Sequence, residues 1–237
     1  MRTWLVTGGS RGIGRAVADR AAALGDRVAT FARSPGGGAE GPDRLAVPAD
    51  VTDAASVRAG LDAVQERFGS LDVVVNCAGV HRGGRVENLT REAWDEVLGT
   101  NLSGAFEVCR AAVPLLGPGS AVVNVGAVVG FRGFPGDVAY GSAKAGLSGL
   151  TQVLAVELAP RGIRVNLVIP GFVDTEMTAG LSGRARDRIL AAIPAGRVGT
   201  AEEIADVVVA VAGASYMTGA TVPVDGGLLA SFGGTAR

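Results

Sequence analysis

Two side chains that could move a proton stand four residues apart in the stretch from Tyr140 to Lys144. Of the 22 basic residues only Lys144 is a Lys, and the rest are Arg. Residues four apart on a helix share a face, so the phenol and the ammonium would point into one site. A nearby cation favours the phenolate, so we expect Lys144 to lower the pKa of Tyr140 and make it a usable proton donor or acceptor near neutral pH. The alternative is a solvated Tyr and Lys on a surface helix.

A glycine-rich turn near the N-terminus predicts a dinucleotide site. The apolar run Trp4 to Thr7 predicts a buried strand, and the turn after it leads directly into a helix. Glycines let the backbone approach a pyrophosphate, and the helix N-terminus offers free N–H groups and partial positive charge. The spacing is Gly-x-x-x-Gly-x-Gly, and the alternative is a turn rich in glycine for packing alone. The residues that we expect at the cofactor are Gly8, Ser10, Arg11, Gly12, Ile13 and Gly14.

The end of the second predicted strand discriminates between cofactors. NAD sites place an acid there to bind the ribose 2′-hydroxyl. Here the strand ends in Phe31-Ala32-Arg33-Ser34, with no acid. Arg33 could instead bind the 2′-phosphate of NADP(H), with Arg11 from the turn in reach. Two surface Arg residues are the alternative.

Short apolar segments alternate with helical patterns along the whole chain. The predicted strands are 4–7, 28–31, 45–47, 73–75, 121–125, 163–168 and 221–224. The predicted helices are 12–24, 53–68, 90–116, 138–158 and 200–212. This alternation is typical of a parallel sheet covered on both faces, so we predict an α/β, doubly wound Rossmann fold of about seven strands in a single domain, residues 1–237. Ser34–Pro42 predicts a loop, and a ligand is expected beyond the carboxyl ends of the strands.

Composition narrows the function further. The chain has 237 residues, a formal net charge of −1 and no basic stretch mixed with aromatic residues, which argues against a nucleic-acid partner. Cys77 and Cys109 lack metal-binding spacing, so we expect reduced thiols, no metal and a cytoplasmic location. His81 is the only His, and a single His is too few for a metal site built from several His residues. We expect His81 in an exposed loop. No signal peptide or membrane span is visible.

From Trp4 to about Leu229 the sequence resembles the short-chain dehydrogenase/reductase family. The family's motifs occur in order: Thr7 to Gly14, Asp50-Val51, Asn76 to Gly79, Asn101, Tyr140 to Lys144, and Pro170-Gly171. The resemblance is strongest to 3-oxoacyl-[acyl-carrier-protein] reductases over 165–178, 196–204 and 224–227, stretches that also recur in polyketide ketoreductases.

The resemblance implies cofactor contacts at several strand ends. Asp50 would bind the adenine amino group, and Val51 would line that pocket. The residues that would flank the adenine and its ribose are Asn76, Ala78 and Gly79. Those expected around the nicotinamide are Pro170, Gly171, Val173 and Thr175. Individually, Asp50 could instead be a helix cap and Asn76 a strand-end turn former.

The resemblance also implies a proton path. Lys144 would hold the nicotinamide ribose hydroxyls and lower the pKa of Tyr140. Tyr140 would give its proton to the carbonyl oxygen as hydride arrives from the nicotinamide. Asn101 would hold a water that connects Lys144 to solvent, unless it is only a polar residue satisfied within a helix.

The chain departs from the family at one catalytic position. The family places a Ser thirteen residues before the Tyr, where this chain has Ala127. A methyl cannot donate a hydrogen bond to a substrate oxygen, and losing one such donor costs on the order of 10²–10³ in rate. Three explanations stay open: an engineered Ser→Ala substitution, a natural enzyme that works without the Ser, or an NADP-binding subunit that is not a competent reductase.

The resemblance therefore implies an NADPH-dependent ketoreductase that makes a secondary alcohol. Its substrate would be a 3-oxoacyl thioester, free or bound to a carrier protein, or a polyketide-like ketone. Alternatives are a dehydrogenase of another small alcohol and a regulatory or partner subunit. The segments 80–88 and 172–188 are expected to shape the substrate pocket as loops, and family members are commonly homotetramers.

Overall fold

The computed structural model describes residues 1–34, 41–180 and 183–231. Its centre is one sheet of seven parallel strands in the order β3-β2-β1-β4-β5-β6-β7. The strands are β1 Thr3–Thr7, β2 Arg27–Ala32, β3 Arg44–Pro48, β4 Leu71–Asn76, β5 Leu116–Val125, β6 Arg164–Pro170 and β7 Thr221–Val224. The predicted single-domain, doubly wound fold is confirmed.

Helices cover both faces of this sheet. They are α1 Gly12–Ala23, α2 Ala54–Phe68, α3 Arg91–Leu98, α4 Gly104–Ala112, α5 Val138–Leu158, α6 Gly183–Ala192 and α7 Ala201–Gly213. No helix in the described ranges is long and apolar enough to cross a membrane.

The apolar strand residues divide between two cores. Leu5 and Phe31 pack with α2, α4 and α5 on one face, whereas Trp4 packs with α1 and α7 on the other. Every residue of β1 is buried, which is why its sequence is an apolar run rather than an alternation. Each fully buried side chain of this size contributes about 1.5–3 kcal/mol. The indole N–H of Trp4 remains satisfied because it donates to the carboxylate of Asp26 at 2.8 Å.

Helix starts follow the sequence closely. Asp53 and Thr90 cap α2 and α3 by accepting from backbone N–H groups, and Thr200 forms a capping box with Glu203 at α7. The predicted helix 138–158 is α5, which continues into a 3₁₀ turn at Ala159–Arg161.

Two segments differ from the sequence-based expectation. The helical region predicted over 90–116 contains a π-helical turn at Gly99–Ser103 and ends before β5 begins at Leu116. Residues 183–192 form helix α6, although 172–188 is predicted to be a substrate loop. The segment is rich in charged residues and shows no clear apolar stripe, so no helix is predicted there. The predicted loop 34–42 lies mostly at 35–40, outside the described residues.

The strand order reverses between β1 and β4, and a hydrogen-bonded link joins the ends of these two strands. Thr7 Oγ1 accepts from the backbone N–H groups of Cys77 and Ala78, both at 3.0 Å. In doubly wound sheets the ligand crevice opens at this reversal. Thr7 therefore fixes the relative position of the two loops that border the crevice.

Candidate active site

A cavity of about 750 Å³ opens beyond the carboxyl ends of the strands. It runs from the glycine-rich turn to the start of α5 and brings together residues from distant parts of the sequence. The sequence-predicted residues that line it are Gly8, Ser10, Arg11, Gly12, Ile13, Gly14, Arg33, Asp50, Val51, Ala78, Gly79, Ala127, Tyr140, Lys144, Pro170, Gly171, Val173 and Thr175.

The turn between β1 and α1 is built around backbone-to-backbone contact. Gly8 and Gly12 have φ of +69° and +53°, in the left-handed region that favours glycine. A Cβ on Gly14 would clash with the carbonyl oxygen of Gly8, so only glycine fits there. Arg11 occupies the N-cap position of α1 without a side-chain cap, which leaves the helix N-terminus open toward the cavity. This cradle fits a pyrophosphate.

Gly14→Ala should therefore close the cradle. We expect the overpacked turn to cost about 1–3 kcal/mol of unfolding free energy and to weaken dinucleotide binding by more than about ten-fold. The measurements are a thermal melt and a fluorescence titration with NADPH. The matched control is Gly149→Ala in α5, where an added Cβ meets nothing within 4 Å. Unchanged NADPH affinity in Gly14→Ala would contradict the assignment of this turn.

A cation and a carboxylate lie at the far end of the cavity. Arg33 follows β2 directly and is exposed along the cavity wall. The carboxylate of Asp50 accepts from the backbone N–H of Thr52 at 2.9 Å and from its hydroxyl at 2.7 Å. These bonds, together with the charge of Arg33, lower the pKa of Asp50 despite its partial burial. The helix cap of α2 is Asp53, so the capping role considered for Asp50 is wrong.

Tyr140 and Lys144 share a face of α5, as their spacing predicts. Lys144 is 4% exposed and donates from Nζ to the backbone oxygen of Val125 at 2.8 Å. The same Nζ lies 5.7 Å from the centroid of the Tyr140 ring. The end of β5 thus orients the ammonium, and the first turn of α5 orients the phenol.

The expected lowering of the Tyr140 pKa is not found. Burial raises the pKa of Tyr140, and the acidic groups of Cys77 and Asp137 raise it further. Burial also lowers the pKa of Lys144 to about 8, partly countered by Cys77. The four-residue spacing shows that the ammonium and the phenol lie on one side of the helix. It does not show how strongly burial shifts the pKa of each group. Tyr140 is therefore a phenol, not a phenolate, around neutral pH.

Asn76 and Asn101 lie outside the cavity lining. Asn76 is buried and donates from Nδ2 to Asn124 at 2.9 Å and to the sulfur of Cys109 at 3.2 Å. The Nδ2 end of its carboxamide thus faces the core, and the expected place of Asn76 beside the adenine and its ribose stays a prediction.

Asn101 sits in the π-helical turn and binds a neighbouring loop with both ends of its carboxamide. Oδ1 accepts from the N–H of Val80 at 2.8 Å, and Nδ2 donates to the oxygen of Val80 at 2.9 Å. Asn101 thus holds the loop after β4 in place. The water-binding role expected for it stays a prediction.

Ala127 lies where the sequence places it, between β5 and a 3₁₀ turn at Val128–Gly130. The turn packs tightly on α5, because a Cβ on Gly130 would lie 2.7 Å from the backbone nitrogen of Ala145. Ala127 lines the same cavity as Tyr140, and its side chain carries no hydroxyl.

His81, which the sequence places in an exposed loop, is not a free loop residue. Its Nε2 lies 2.7 Å from Oδ1 of Asp137, and its ring packs edge-on against Tyr140 with centroids 5.2 Å apart at 78°. The backbone reinforces the contact, since Gly84 N–H donates to the oxygen of Gly136 at 2.8 Å. Neither His81 nor Asp137 belongs to a motif. The only sequence signal for this contact is that His81 is the one His of the chain.

Comparisons with known proteins agree with this geometry. Residues 8–229 match the family model described as Enoyl-(Acyl carrier protein) reductase. Over 233 residues the chain is 42% identical to the 3-oxoacyl-[acyl-carrier-protein] reductase FabG of Escherichia coli (strain K12), covering 94% of this chain and 96% of that protein.

Solved structures of the same fold superpose closely. Ligand-free aldohexose dehydrogenase of Thermoplasma acidophilum gives a TM-score of 0.90 at 29% identity, covering 97% of this chain and 94% of that one. A variant short-chain dehydrogenase/reductase from Serratia marcescens gives 0.89 at 35% identity, covering 96% and 98%. With its motifs in order, its doubly wound sheet and these matches, the chain belongs to the short-chain dehydrogenase/reductase family of oxidoreductases.

Proposed function

We propose that this protein is an NADPH-dependent ketoreductase that reduces the carbonyl of a 3-oxoacyl thioester to a secondary alcohol, with Tyr140 as proton donor. The observation that carries the proposal is the joint position of Tyr140 and Lys144 in a cavity that continues to an open helix N-terminus and to Arg33. The similarity to a 3-oxoacyl-[acyl-carrier-protein] reductase supplies the substrate class, including its carrier-protein form.

The residues present fit the cofactor from end to end. The turn around Gly14 would hold the pyrophosphate, and Asp50, kept ionised by Thr52, would accept from the adenine amino group. Arg33 would bind the 2′-phosphate, and Lys144 the nicotinamide ribose. Bound there, the reduced nicotinamide would supply the hydride.

The protein's own part in the reaction is proton supply and orientation. The Tyr140 phenol is protonated at neutral pH, so it can donate to a carbonyl oxygen as negative charge develops there. Lys144 lies close enough to stabilise the resulting phenolate. Both residues line the same cavity, so their effects act on one bound substrate.

A substrate panel tests the proposal. Purified protein is incubated with NADPH and either a short 3-oxoacyl thioester, the matching 2-enoyl thioester, or a simple polyketide-like ketone, and NADPH absorbance is followed. Aldohexoses with NADP⁺ cover the activity named for the Thermoplasma relative. We expect the fastest oxidation of NADPH with the 3-oxoacyl thioester. Tight NADPH binding without turnover of any substrate would favour a regulatory or partner subunit instead.

The family model's description makes enoyl reduction the second candidate. The two reactions differ in where the proton goes, since an enoyl thioester needs it on carbon and a 3-oxoacyl thioester on oxygen. A phenol that lines the cavity beside an ammonium suits donation to oxygen, which favours the ketone.

Arg33→Asp should change the cofactor preference. The substitution removes the cation placed for a 2′-phosphate and supplies the acid that NAD sites use. We expect the ratio of kcat/KM with NADPH to that with NADH to fall by about 10²-fold, the value of one or two charge-assisted hydrogen bonds. The control is Arg58→Asp, on the exposed face of α2 outside the cavity lining. An unchanged ratio in Arg33→Asp would refute the role of Arg33.

We further propose a cytoplasmic homotetramer. Apolar side chains on α4 and α5 are unusually exposed for a monomer: Phe106 at 46%, Val153 at 56% and Val156 at 77%. A second copy of the chain would cover them. Light scattering of the purified protein measures the assembly directly.

A further inference from the structure

The cavity holds an imidazole that contacts a carboxylate and lies beside the Tyr140 ring. His81 and Asp137 come from different elements, the loop after β4 and the residue before α5, and meet at 2.7 Å. Their side chains are 33% and 17% exposed, so the contact is shielded on most sides. The His81 ring stands edge-on to Tyr140 at a centroid distance of 5.2 Å. His81 and Tyr140 both line the cavity.

One nitrogen of this imidazole is free to meet a ligand. An ionised carboxylate only accepts hydrogen bonds, so Nε2–H donates to Asp137. The other nitrogen, Nδ1, has no partner among the described residues and is not buried. With Nε2–H committed, Nδ1 is an acceptor in the neutral ring and an N–H donor in the protonated ring. Asp137 thereby orients the ring and leaves Nδ1 as the nitrogen that a ligand can reach.

The same cavity lacks the donor that its family places at position 127. Ala127 presents a methyl, so Tyr140 alone would have to bind the substrate oxygen. We propose that His81, oriented by Asp137, is the second hydrogen-bond donor to the substrate's carbonyl oxygen in this protein. The proposal rests on the ketoreductase function and explains how the chain performs that reaction without a hydroxyl at 127.

The proton balance of the reaction is unchanged by this donor. Hydride forms the new C–H bond, the C=O π bond breaks, and its electron pair takes the proton of Tyr140 to form the alcohol. The Nδ1 proton of His81 stays on nitrogen and only stabilises the negative charge that develops on oxygen. This is the work of an oxyanion donor, worth about 10²–10³ in rate.

A double-mutant cycle tests whether the N–H of His81 takes the place of a hydroxyl at position 127. It compares wild type, His81→Phe, Ala127→Ser and the double variant, using NADPH and a 3-oxoacyl thioester. The Phe ring preserves the edge-on contact with Tyr140 but cannot donate. We expect His81→Phe to lower kcat/KM by about 10²-fold in the wild-type background and by less than about ten-fold in the Ala127→Ser background, because either donor suffices. Ala127→Ser alone should raise kcat/KM by less than about ten-fold.

Rescue by a conservative variant distinguishes donation from a purely structural role. The groups facing His81 are Asp137, Tyr140 and the pair of Arg82 with Glu96, whose Arg also donates to the His81 backbone oxygen. His81→Gln keeps a side-chain N–H donor, whereas His81→Phe keeps only a ring. We expect His81→Gln to retain clearly more of the wild-type kcat/KM than His81→Phe, because the reaction needs the donor and not the ring.

The outcomes separate cleanly. Equal losses from His81→Phe in both backgrounds, or equal losses from His81→Gln and His81→Phe, would overturn the donor role while leaving the ketoreductase function intact. No turnover in any member of the cycle, with NADPH still bound, would overturn the ketoreductase function and the donor role with it. Thermal midpoints and NADPH affinity of His81→Gln show whether the site remains folded.

Discussion

Tyr140→Phe should reduce ketoreductase kcat/KM by about 10⁴-fold, the upper range for losing a positioned proton donor. The upper range applies because Ala127 leaves the site without the hydroxyl that its family carries. With its raised pKa, the Tyr140 phenol carries its proton around neutral pH, so the side chain holds the proton that reduction consumes. NADPH binding and thermal stability should change little, because Phe fills the same volume against His81. The measurements are steady-state kinetics, NADPH fluorescence and a thermal melt.

The other tyrosine supplies a matched control. Tyr216 is fully exposed and lies outside the cavity lining, so Tyr216→Phe should leave kcat/KM unchanged. Retention of more than about a tenth of wild-type kcat/KM in Tyr140→Phe would show that another group supplies the proton.

Local signals made much of the fold predictable. The bounds of α5 are those read from the sequence, because an apolar stripe leads to Leu158 and Pro160 follows. The helices predicted over 53–68 and 90–116 begin where Asp53 and Thr90 cap α2 and α3. The glycine spacing placed the turn correctly because Gly14 must approach a backbone oxygen. Each of these features depends on a few neighbouring residues, which sequence patterns record.

The remaining features depend on contacts between distant segments. His81 and Asp137 are separated by 56 positions, and nothing near either predicts their contact. The orientation of Asn76 is set by Asn124 and Cys109, which only the assembled sheet and α4 bring together. The pKa of Tyr140 is raised rather than lowered, because burial has the largest effect on it and burial depends on the whole fold. The sequence spacing identified Tyr140 and Lys144 as neighbours, but it could not show which influence on the Tyr140 pKa is the largest.

Lys144→Met should stabilise the protein while removing its activity. Burial of the ammonium lowers the pKa of Lys144 to about 8, so the folded state carries an energetic cost for this charge. A methionine of similar length avoids that cost, and replacing buried charges by apolar groups can gain about 1–4 kcal/mol. Because Lys144 is placed to hold the nicotinamide ribose and to stabilise the Tyr140 phenolate, we expect kcat/KM to fall by at least about 10²-fold. Thermal melts and NADPH kinetics measure the two effects.

The stability gain should depend on pH in a defined sense. Between pH 8 and the ordinary lysine pKa of 10.5 the unfolded chain binds a proton at Lys144 that the folded chain has released. Wild-type stability at this residue therefore rises with pH across that window. The advantage of Lys144→Met should be greatest below pH 8 and shrink toward pH 10.5.

Lys144→Arg is the comparison that isolates the charge. Arg retains its proton throughout this window, so Lys144→Arg should be less stable than Lys144→Met at every pH. An advantage of Lys144→Met that did not vary between about pH 7 and 10 would mean that Lys144 does not titrate there. Every other Lys or Arg position of the chain is an Arg. The one Lys stands at a buried position where a guanidinium would be too large and too basic.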